Sequence, residues 1–538
     1  MESSKKKISM SLDISLLKQP KAFWVLAFGE MWNTFSYFGT QTILVLYVMH
    51  AFQLSREDSY TLYGTYAAFA YSLSILGGVI ADRWLGYKNT VIIGSILSIF
   101  GNFLLLSGQY YFVCLGLAVS LVGFGLYKTN VTQLVGMLYP SGSVQKESGF
   151  TLFYLAINVG GVLGPVVYGL LVYAIGWRGG FLCSALSLLI AMIWFVRHQK
   201  TWAQLENPPQ PAPPVVVDPE ERSRILLEYD ATDPFKPKSY KEYVENLKRQ
   251  SQVGQQASKN NNIHAIIRQE LSLPQKFVLL GALSMTCLVL SLAFFKLQIA
   301  NWFIVALFVA GVAYILLAMI KHQGKNRHRL FALFLLCFFG MFYFAVGLQI
   351  GATITLFIQN MIKQGILNTQ LPANVFSAFY PLCVLLLAPV FTYVWRRLRA
   401  KGIVVDVPVK LAVSIILAML GICVFAVASL NNFVLIGIII GNLLLGAGEL
   451  ALTPAMYMAI NDLSPMGMKG TMMGCLLLFV AFGGYLSSLL ANVSQYVGDR
   501  IFGYEEAYFG QFLFIAVITF IVLLVFCLFV PRLTEMMN

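Results

Sequence analysis

The stretch FWVLAFGEMWNTFSYFGTQTILVLYV, residues 23–48, decides the class of fold. It is an unbroken apolar run with a single charged side chain, Glu30, and it is long enough to cross a hydrocarbon core of about 30 Å as a helix. Similar blocks recur along the 538-residue chain, which is 58% hydrophobic and only 11% charged. A soluble domain carries roughly 25% charged residues. The blocks are continuous rather than alternating, which selects helices over a β-barrel. The net charge of +13 does not point to nucleic acid, because Lys and Arg gather in short loops between the blocks, as the positive-inside rule requires.

Fourteen spans are expected. Six lie at about 22–49, 59–82, 89–107, 110–137, 149–175 and 179–197, and two more at about 276–296 and 300–320. The last six lie at about 329–360, 372–395, 406–429, 432–460, 468–492 and 508–530. The chain then divides into an N-terminal tail (1–21), a six-helix bundle (22–197), a polar linker (198–274), two extra helices (275–321), a second six-helix bundle (329–530) and a C-terminal tail (531–538). Lys5, Lys6, Lys7, Lys18, Lys21, Arg83, Lys88, Lys321, Lys325, Arg327, Arg329, Arg396, Arg397, Arg399 and Lys401 fall on one side, so both termini are expected in the cytoplasm. The first span is too long for the apolar core of a cleavable signal peptide. The linker holds NPPQPAPPVVVDPEERSRILLEY (207–229), read as an extended spacer, and residues 239–250 are expected to form a short amphipathic helix.

The chemistry for an enzyme is missing. The eight cysteines all fall in apolar stretches, without zinc spacing or a disulfide framework. There is no intramembrane His cluster, no protease dyad and no Walker motif. No cofactor or metal is expected.

A charge inside a span costs several kcal/mol and usually marks a substrate or ion path. Three lie deep in the apolar blocks: Glu30, Lys128 and Glu449. Glu30 and Lys128 belong to the first bundle and can pair. Glu449 belongs to the second, in GAGELALTPAMY, where Gly446 and Gly448 permit close helix approach and Pro454 permits a kink. A cavity between the bundles would then have an ion pair on one wall and a lone carboxylate on the other. That suits a zwitterion, with its amine at Glu449 and its carboxylate at Lys128. Each charge could instead serve only to hold helices together. Tyr37, Tyr71 and Asn158 gather near these charges, and each could equally be a packing residue.

Several motifs resemble those of the proton-dependent oligopeptide transporters, a family of the major facilitator superfamily. GGVIADRWLGYKNTVIIG (77–94) resembles the loop signature after the second span, and FTLFYLAINVGGVLGP (150–165) the FYxxINxG pattern of the fifth. GFGLYKTN (123–130) is similar to the lysine-bearing motif of the fourth span, and GELALTPAMY (448–457) to the glutamate-bearing motif of the third-last. EMWNTFSYFG (30–39) resembles the ExxER motif of the first span and the tyrosine pair after it. The resemblance implies an all-α integral membrane protein with two six-helix bundles that rock about a central site, and two extra helices packed outside them. It implies proton coupling at Glu30 and Lys128. It further implies substrate contacts from Tyr37, Tyr71, Lys128, Asn158, Gln349 and Glu449, and a gating loop at Asp82 and Arg83.

The departures are specific. The second acid of ExxER is Asn33 and its arginine is Thr34. The second tyrosine is Phe38, a later arginine of the first span is Gln41, and the acid expected beside Gln349 is Leu348. A tryptophan of the second-last span is Leu476. Losing the charges at 41 and 348 together avoids stranding one of them. The expected function is import of di- or tripeptides, or of peptide-like zwitterions, by proton symport, with protons as coupling ion. The alternatives are an uncoupled or differently coupled carrier of a non-peptide amine-bearing metabolite, and a non-transporting sensor or scaffold that uses the linker. The expected partners are a small solute and the lipid bilayer of a prokaryotic inner membrane, with no nucleic acid, and the expected state is a monomer.

Overall fold

The structure is a computed structural model that describes residues 19–139, 144–202, 273–351, 353–363, 379–401, 405–430, 434–465, 467–503 and 507–537. The expected helix at 239–250 lies outside the described residues. In lipid every backbone N–H and C=O needs an internal partner, and a helix supplies it within one segment. The described residues are accordingly helical almost throughout. The first half comprises α1 (Lys21–Phe52), α2 (Arg56–Ser72) continued by α3 (Ser74–Ile80), α4 (Gly86–Leu105), α5 (Tyr110–Met137), α6 (Val144–Ile175) and α7 (Trp177–Arg197). Two inserted helices follow, α8 (Leu273–Phe295) and α9 (Leu297–Lys321). The second half comprises α10 (Lys325–Gly347), α11 (Thr353–Lys363), α12 (Phe379–Ala400), α13 (Val407–Ser429), α14 (Val434–Leu463), α15 (Lys469–Val497) and α16 (Ala507–Met537).

Among the described residues eleven stretches are long and apolar enough to cross a membrane. One of them, Thr61–Leu105, has 45 residues, too many for a single crossing. It breaks at Gly86, which takes the left-handed φ of 75° that a residue without a β-carbon adopts freely. The helices Lys21–Phe52 and Phe379–Ala400 add 32 and 22 residues, each also enough for a crossing. Helix lengths among the described residues thus allow fourteen crossings. The chain is a multi-pass membrane protein.

Lipid is as apolar as leucine, so helices associate by close packing of small residues rather than by hydrophobic exclusion. In the first half α4 and α5 meet through glycines. A β-carbon on Gly94 would lie 2.7 Å from Gly123 O, and one on Gly101 would lie 2.4 Å from Ser120 N. The contacts between halves have a two-fold logic. The second rod of the first half, α2–α3, packs on the fifth rod of the second, α15, and the fifth rod of the first, α6, packs on the second rod of the second, α12. This is the exchange expected of two repeats related by an axis along the membrane normal.

The inserted helices are not simply outside the halves. α8 packs on α5, but α9 packs on both α2 and α15. A β-carbon on Gly311 of α9 would lie 2.2 Å from Leu478 Cδ2 and 3.2 Å from Ile75 Cδ1, one from each half. Phe308 stacks on Phe482, with ring centroids 3.8 Å apart.

The seam is close enough to be tested by one methyl group. A β-carbon on Gly78 of α3 would lie 2.2 Å from Gly470 O of α15, whereas one on Gly169 of α6 meets nothing within 4 Å. Gly78→Ala should cost about 1–3 kcal/mol by overpacking and lower the melting temperature of the purified protein. Gly169→Ala should leave it unchanged. Equal melting temperatures for the two variants would contradict this account of the seam.

Candidate functional site

α1 and α5 bring Glu30 and Lys128 together. Lys128 Nζ donates to Glu30 Oε1 in an ion pair whose residues are 3% and 0% exposed. Thr34 Oγ1, one turn further along α1, donates to the same oxygen at 3.3 Å. The position where the resembled motif carries an arginine therefore still supplies a donor, but a neutral one. Asn33 is buried on the same turn. Taking two charges out of water is repaid only when they meet in good geometry, and removing one partner of such a pair costs about 3–5 kcal/mol.

Glu449 sits in α14, the helix that also carries Pro454. Its partners are phenols. Tyr380 of α12 donates to Glu449 Oε2, and Tyr154 of α6 is hydrogen-bonded to the same carboxylate. Tyr343 of α10 lies beside Tyr380 and donates to Leu445 O at 3.2 Å. Among the described residues Glu449 has no ion-pair partner. Tyr71 and Tyr457 each lie within electrostatic reach of both Glu30 and Glu449. The two carboxylates therefore face one another across phenol groups, one neutralised by a lysine and one not.

The other expected site residues divide. Tyr37 is buried, stacks on Phe124 with centroids 4.8 Å apart and on Tyr66 at 5.4 Å, and meets Tyr71 edge-on at 5.9 Å. Asn158 is buried and donates to Tyr154 O at 2.9 Å, one turn back on its own helix. The hydrogen bonds of Gln349 go to neighbours in the second half. Its amide nitrogen donates to Ser487 O at 2.9 Å and Ser487 Oγ at 3.1 Å, and its oxygen accepts from Thr353 at 2.7 Å. It ties elements of the second half together, a role that a lone polar residue in an apolar stretch does not distinguish from ligand binding. Among the altered positions, Phe38 lies edge-on to Tyr37 with centroids 5.0 Å apart. Gln41 is half-buried, Leu348 is 44% exposed and Leu476 is buried.

Asp82 and Arg83 are adjacent but serve different neighbours. Asp82 accepts from the backbone N–H of Gly470 at 3.0 Å and of Thr471 at 2.6 Å, from Thr471 Oγ1 at 2.7 Å and from Tyr87 at 2.8 Å. α15 has no side-chain cap of its own. A carboxylate from the other half thus satisfies the orphan amides of its first turn and meets the positive end of its dipole. Arg83 turns to the inserted helix and donates to Tyr314 of α9 at 3.4 Å. More bonds cross between the halves at the same end. Lys146 pairs with Asp462 at 2.5 Å and donates to Asn461, which donates to Gln133 at 2.6 Å. Gln133 donates to Lys469 O at 2.9 Å, and Lys410 pairs with Glu147 at 2.6 Å. This end of the seam is closed.

Sequence reading missed Tyr154, Tyr343, Tyr380 and Tyr457, and the whole group Gln133, Lys146, Glu147, Lys410, Asn461 and Asp462. Tyr154 and Tyr457 stand inside the quoted motifs, which was the available signal. The charged members of the second group sit at span ends, where they read as loop charges.

Comparison with known proteins matches this geometry to a family. A model described as the POT family matches residues 88–218 and 258–505. The chain is 24% identical over 539 residues to a dipeptide and tripeptide permease B of Photorhabdus asymbiotica, with 98% of each chain covered. A solved POT family transporter in complex with a thioalcohol conjugated peptide aligns with a TM-score of 0.66 at 21% identity, covering 97% of this chain and 100% of that one. A POT family transporter in complex with 5-aminolevulinic acid gives 0.65 at 21% identity, covering 96% and 97%. These likenesses give the fold.

The cap supplied by Asp82 makes a prediction. Cys475 lies one turn beyond Thr471 in α15 and is fully buried, whereas Cys527 is exposed. Asp82→Ala should loosen the closed end and raise the rate of maleimide labelling at Cys475 several-fold relative to Cys527. An unchanged ratio would mean that Asp82 does not hold the seam.

Proposed function

This chain belongs to the POT family, and we propose that within it the protein is a proton-coupled importer of di- and tripeptides or peptide-like zwitterions. It is a transporter, not an enzyme. The observation that carries the reading is the pairing of unlike walls: Glu30 bonded to Lys128 in one half, and Glu449 held only by phenols in the other. A substrate ammonium, with three N–H donors, takes the place of the hydroxyls of Tyr380 and Tyr154 at Glu449. The substrate carboxylate goes to Lys128.

Coupling follows from the cost of an unpaired buried charge. Lys128 cannot leave Glu30 for a substrate carboxylate while Glu30 stays ionised without losing about 3–5 kcal/mol. A proton on Glu30 removes that cost, so proton and substrate favour the same state and each raises the affinity for the other. Alternating access then moves the halves about this site. The closed end at Asp82, Lys146 and Lys410 is the cytoplasmic one by the distribution of Lys and Arg, with both termini on that side. Bonds there are many and individually modest, so they can be exchanged as a set. The bacterial inner membrane is the proposed location, and a monomer suffices because both walls come from one chain.

A second reading rests on the altered first-span motif, with Asn33 and Thr34 in place of an acid and an arginine. It makes the solute a compact amine-bearing metabolite rather than a peptide; the POT family transporter in complex with 5-aminolevulinic acid is a precedent for such a ligand. The sensor reading depends on the linker, most of which lies outside the described residues.

Thermal stabilisation of the purified protein separates these readings. Dipeptides, tripeptides, single amino acids and 5-aminolevulinic acid would be compared at two pH values. Di- and tripeptides should raise the melting temperature, and Glu449→Gln should abolish the effect. Stabilisation by 5-aminolevulinic acid alone would move the assignment to the second reading. In proteoliposomes Glu30→Gln should abolish accumulation driven by a pH gradient and spare counterflow exchange. Accumulation that survives in Glu30→Gln would place the proton site elsewhere.

A further inference from the structure

Three buried polar atoms around the ion pair have no hydrogen-bond partner among the described residues: Glu30 Oε2, the Tyr127 hydroxyl and Asn33 Nδ2. One is an acceptor and the other two are donors. Glu30 is 0% exposed, Asn33 4% and Tyr127 5%. Tyr127 is the residue before Lys128 on α5. A β-carbon on Gly29 would lie 2.6 Å from the Tyr127 oxygen, so the hydroxyl rests against α1 at the residue that precedes Glu30. It also lies within electrostatic reach of the Glu30 carboxylate. Asn33 stands one helical turn after Glu30.

An unpartnered buried donor costs about 1–3 kcal/mol. Phenylalanine at 127 and leucine at 33 would fill similar volumes without that cost. One such donor within electrostatic reach of Glu30, a second one turn along α1, and a carboxylate oxygen that also lacks a partner point to a bond made in another state of the cycle. We propose that Tyr127 is a positioning residue of the proton site, which with Asn33 donates to Glu30 Oε2 when Lys128 swings away to a substrate carboxylate. The inference rests on the reading of Glu30 as the proton acceptor.

The physical consequence is a neutral substitute for a cationic neighbour. Thr34, Tyr127 and Asn33 give the Glu30 carboxylate three donors that carry no charge, which reduce, without removing, the cost of Lys128's departure that a proton on Glu30 lifts. Donors to the ionised form favour it, and the proton must compete with them. The titratable groups in reach of Glu30 are Lys128 and Tyr127 from α5, Tyr71 from α2 and Tyr457 from α14. α6 faces α1 here with Gly160, against Met31 O and Thr34 Cβ, and α7 with Ser184, hydrogen-bonded to Ser36 at 2.5 Å. Neither adds a charge at that level, and of the phenols in reach of Glu30 Tyr127 is the one whose hydroxyl is both buried and unpartnered among the described residues.

The test needs no substrate. The full-length protein in lipid nanodiscs would be titrated by infrared difference spectroscopy, following the carbonyl band of a protonated carboxyl group. The band that disappears in Glu30→Gln belongs to Glu30. In a Lys128→Met background, which leaves Glu30 without its lysine as the proposed state does, adding Tyr127→Phe should raise the pH midpoint of the Glu30 band by about one unit, a tenfold gain in proton affinity. Gly29→Ala is the second variant, because it keeps the phenol but displaces its hydroxyl, and it should move the midpoint in the same direction. A midpoint unchanged or lowered in both variants overturns the role of Tyr127. A wild-type spectrum with no titrating band lost in Glu30→Gln overturns the proton reading itself, and this inference with it. The two failures are therefore distinguishable.

Discussion

The Glu30–Lys128 ion pair is the constraint to which the rest of the first half answers. Two charges can stand in the middle of a membrane protein only if they meet, and they meet here because α1 and α5 are fixed against common neighbours. α5 is locked to α4 through facing glycines, and α1 is seated against Gly160 and Gly164 of α6. Those small residues set the separation of the backbones, and that separation lets one lysine reach one glutamate. The dense packing also keeps the pair dry, which makes its integrity energetically consequential. A neutral pair in a dry site costs little to keep and a good deal to break, which suits a switch.

The second half solves the same problem differently. Glu449 has no lysine, and phenol hydroxyls from α6 and α12 satisfy it. Hydroxyls are weaker partners than an ammonium, so a cationic ligand can displace them. One of these phenols, Tyr154, comes from the first half. Any relative movement of the halves that carries α6 away from α14 changes the environment of Glu449 directly. The site and the seam are thus mechanically the same object, and occupancy at the centre can be felt at the closed end.

At that end the bonding follows another rule. Asp82 caps a helix of the opposite half, Lys146 and Glu147 reach across in two directions, and Gln133 and Asn461 fill the space between them. Each bond is modest, and water can replace most of them when the halves part. The inserted helix α9 lies over this seam, with Tyr314 near Arg83 and Gly311 between Leu478 and Ile75. It touches both moving bodies, so it cannot be indifferent to their motion.

The sequence by itself determined the membrane class, the helical secondary structure and the three intramembrane charges. The physical reason is that a charge, or a span of twenty apolar residues, is costly in the wrong medium and therefore conspicuous. It also singled out Asp82, which the structure places against the first turn of α15, and the changes at Asn33 and Thr34. It did not determine which face of each helix turns inward. In a chain buried by lipid on one side and by protein on the other, both faces are apolar, and the helical period that orients a soluble helix falls silent. Tyr343 and Tyr380 were hidden for that reason, as were the ties of Gln349 to Ser487 and Thr353 and the contacts of α9 with both halves. Only the tertiary structure decided that Thr34 still serves Glu30, that Glu449 is held by phenols, and that the hydroxyl of Tyr127 is poised beside a carboxylate oxygen without a partner, because each of these is a meeting of side chains from helices far apart in sequence.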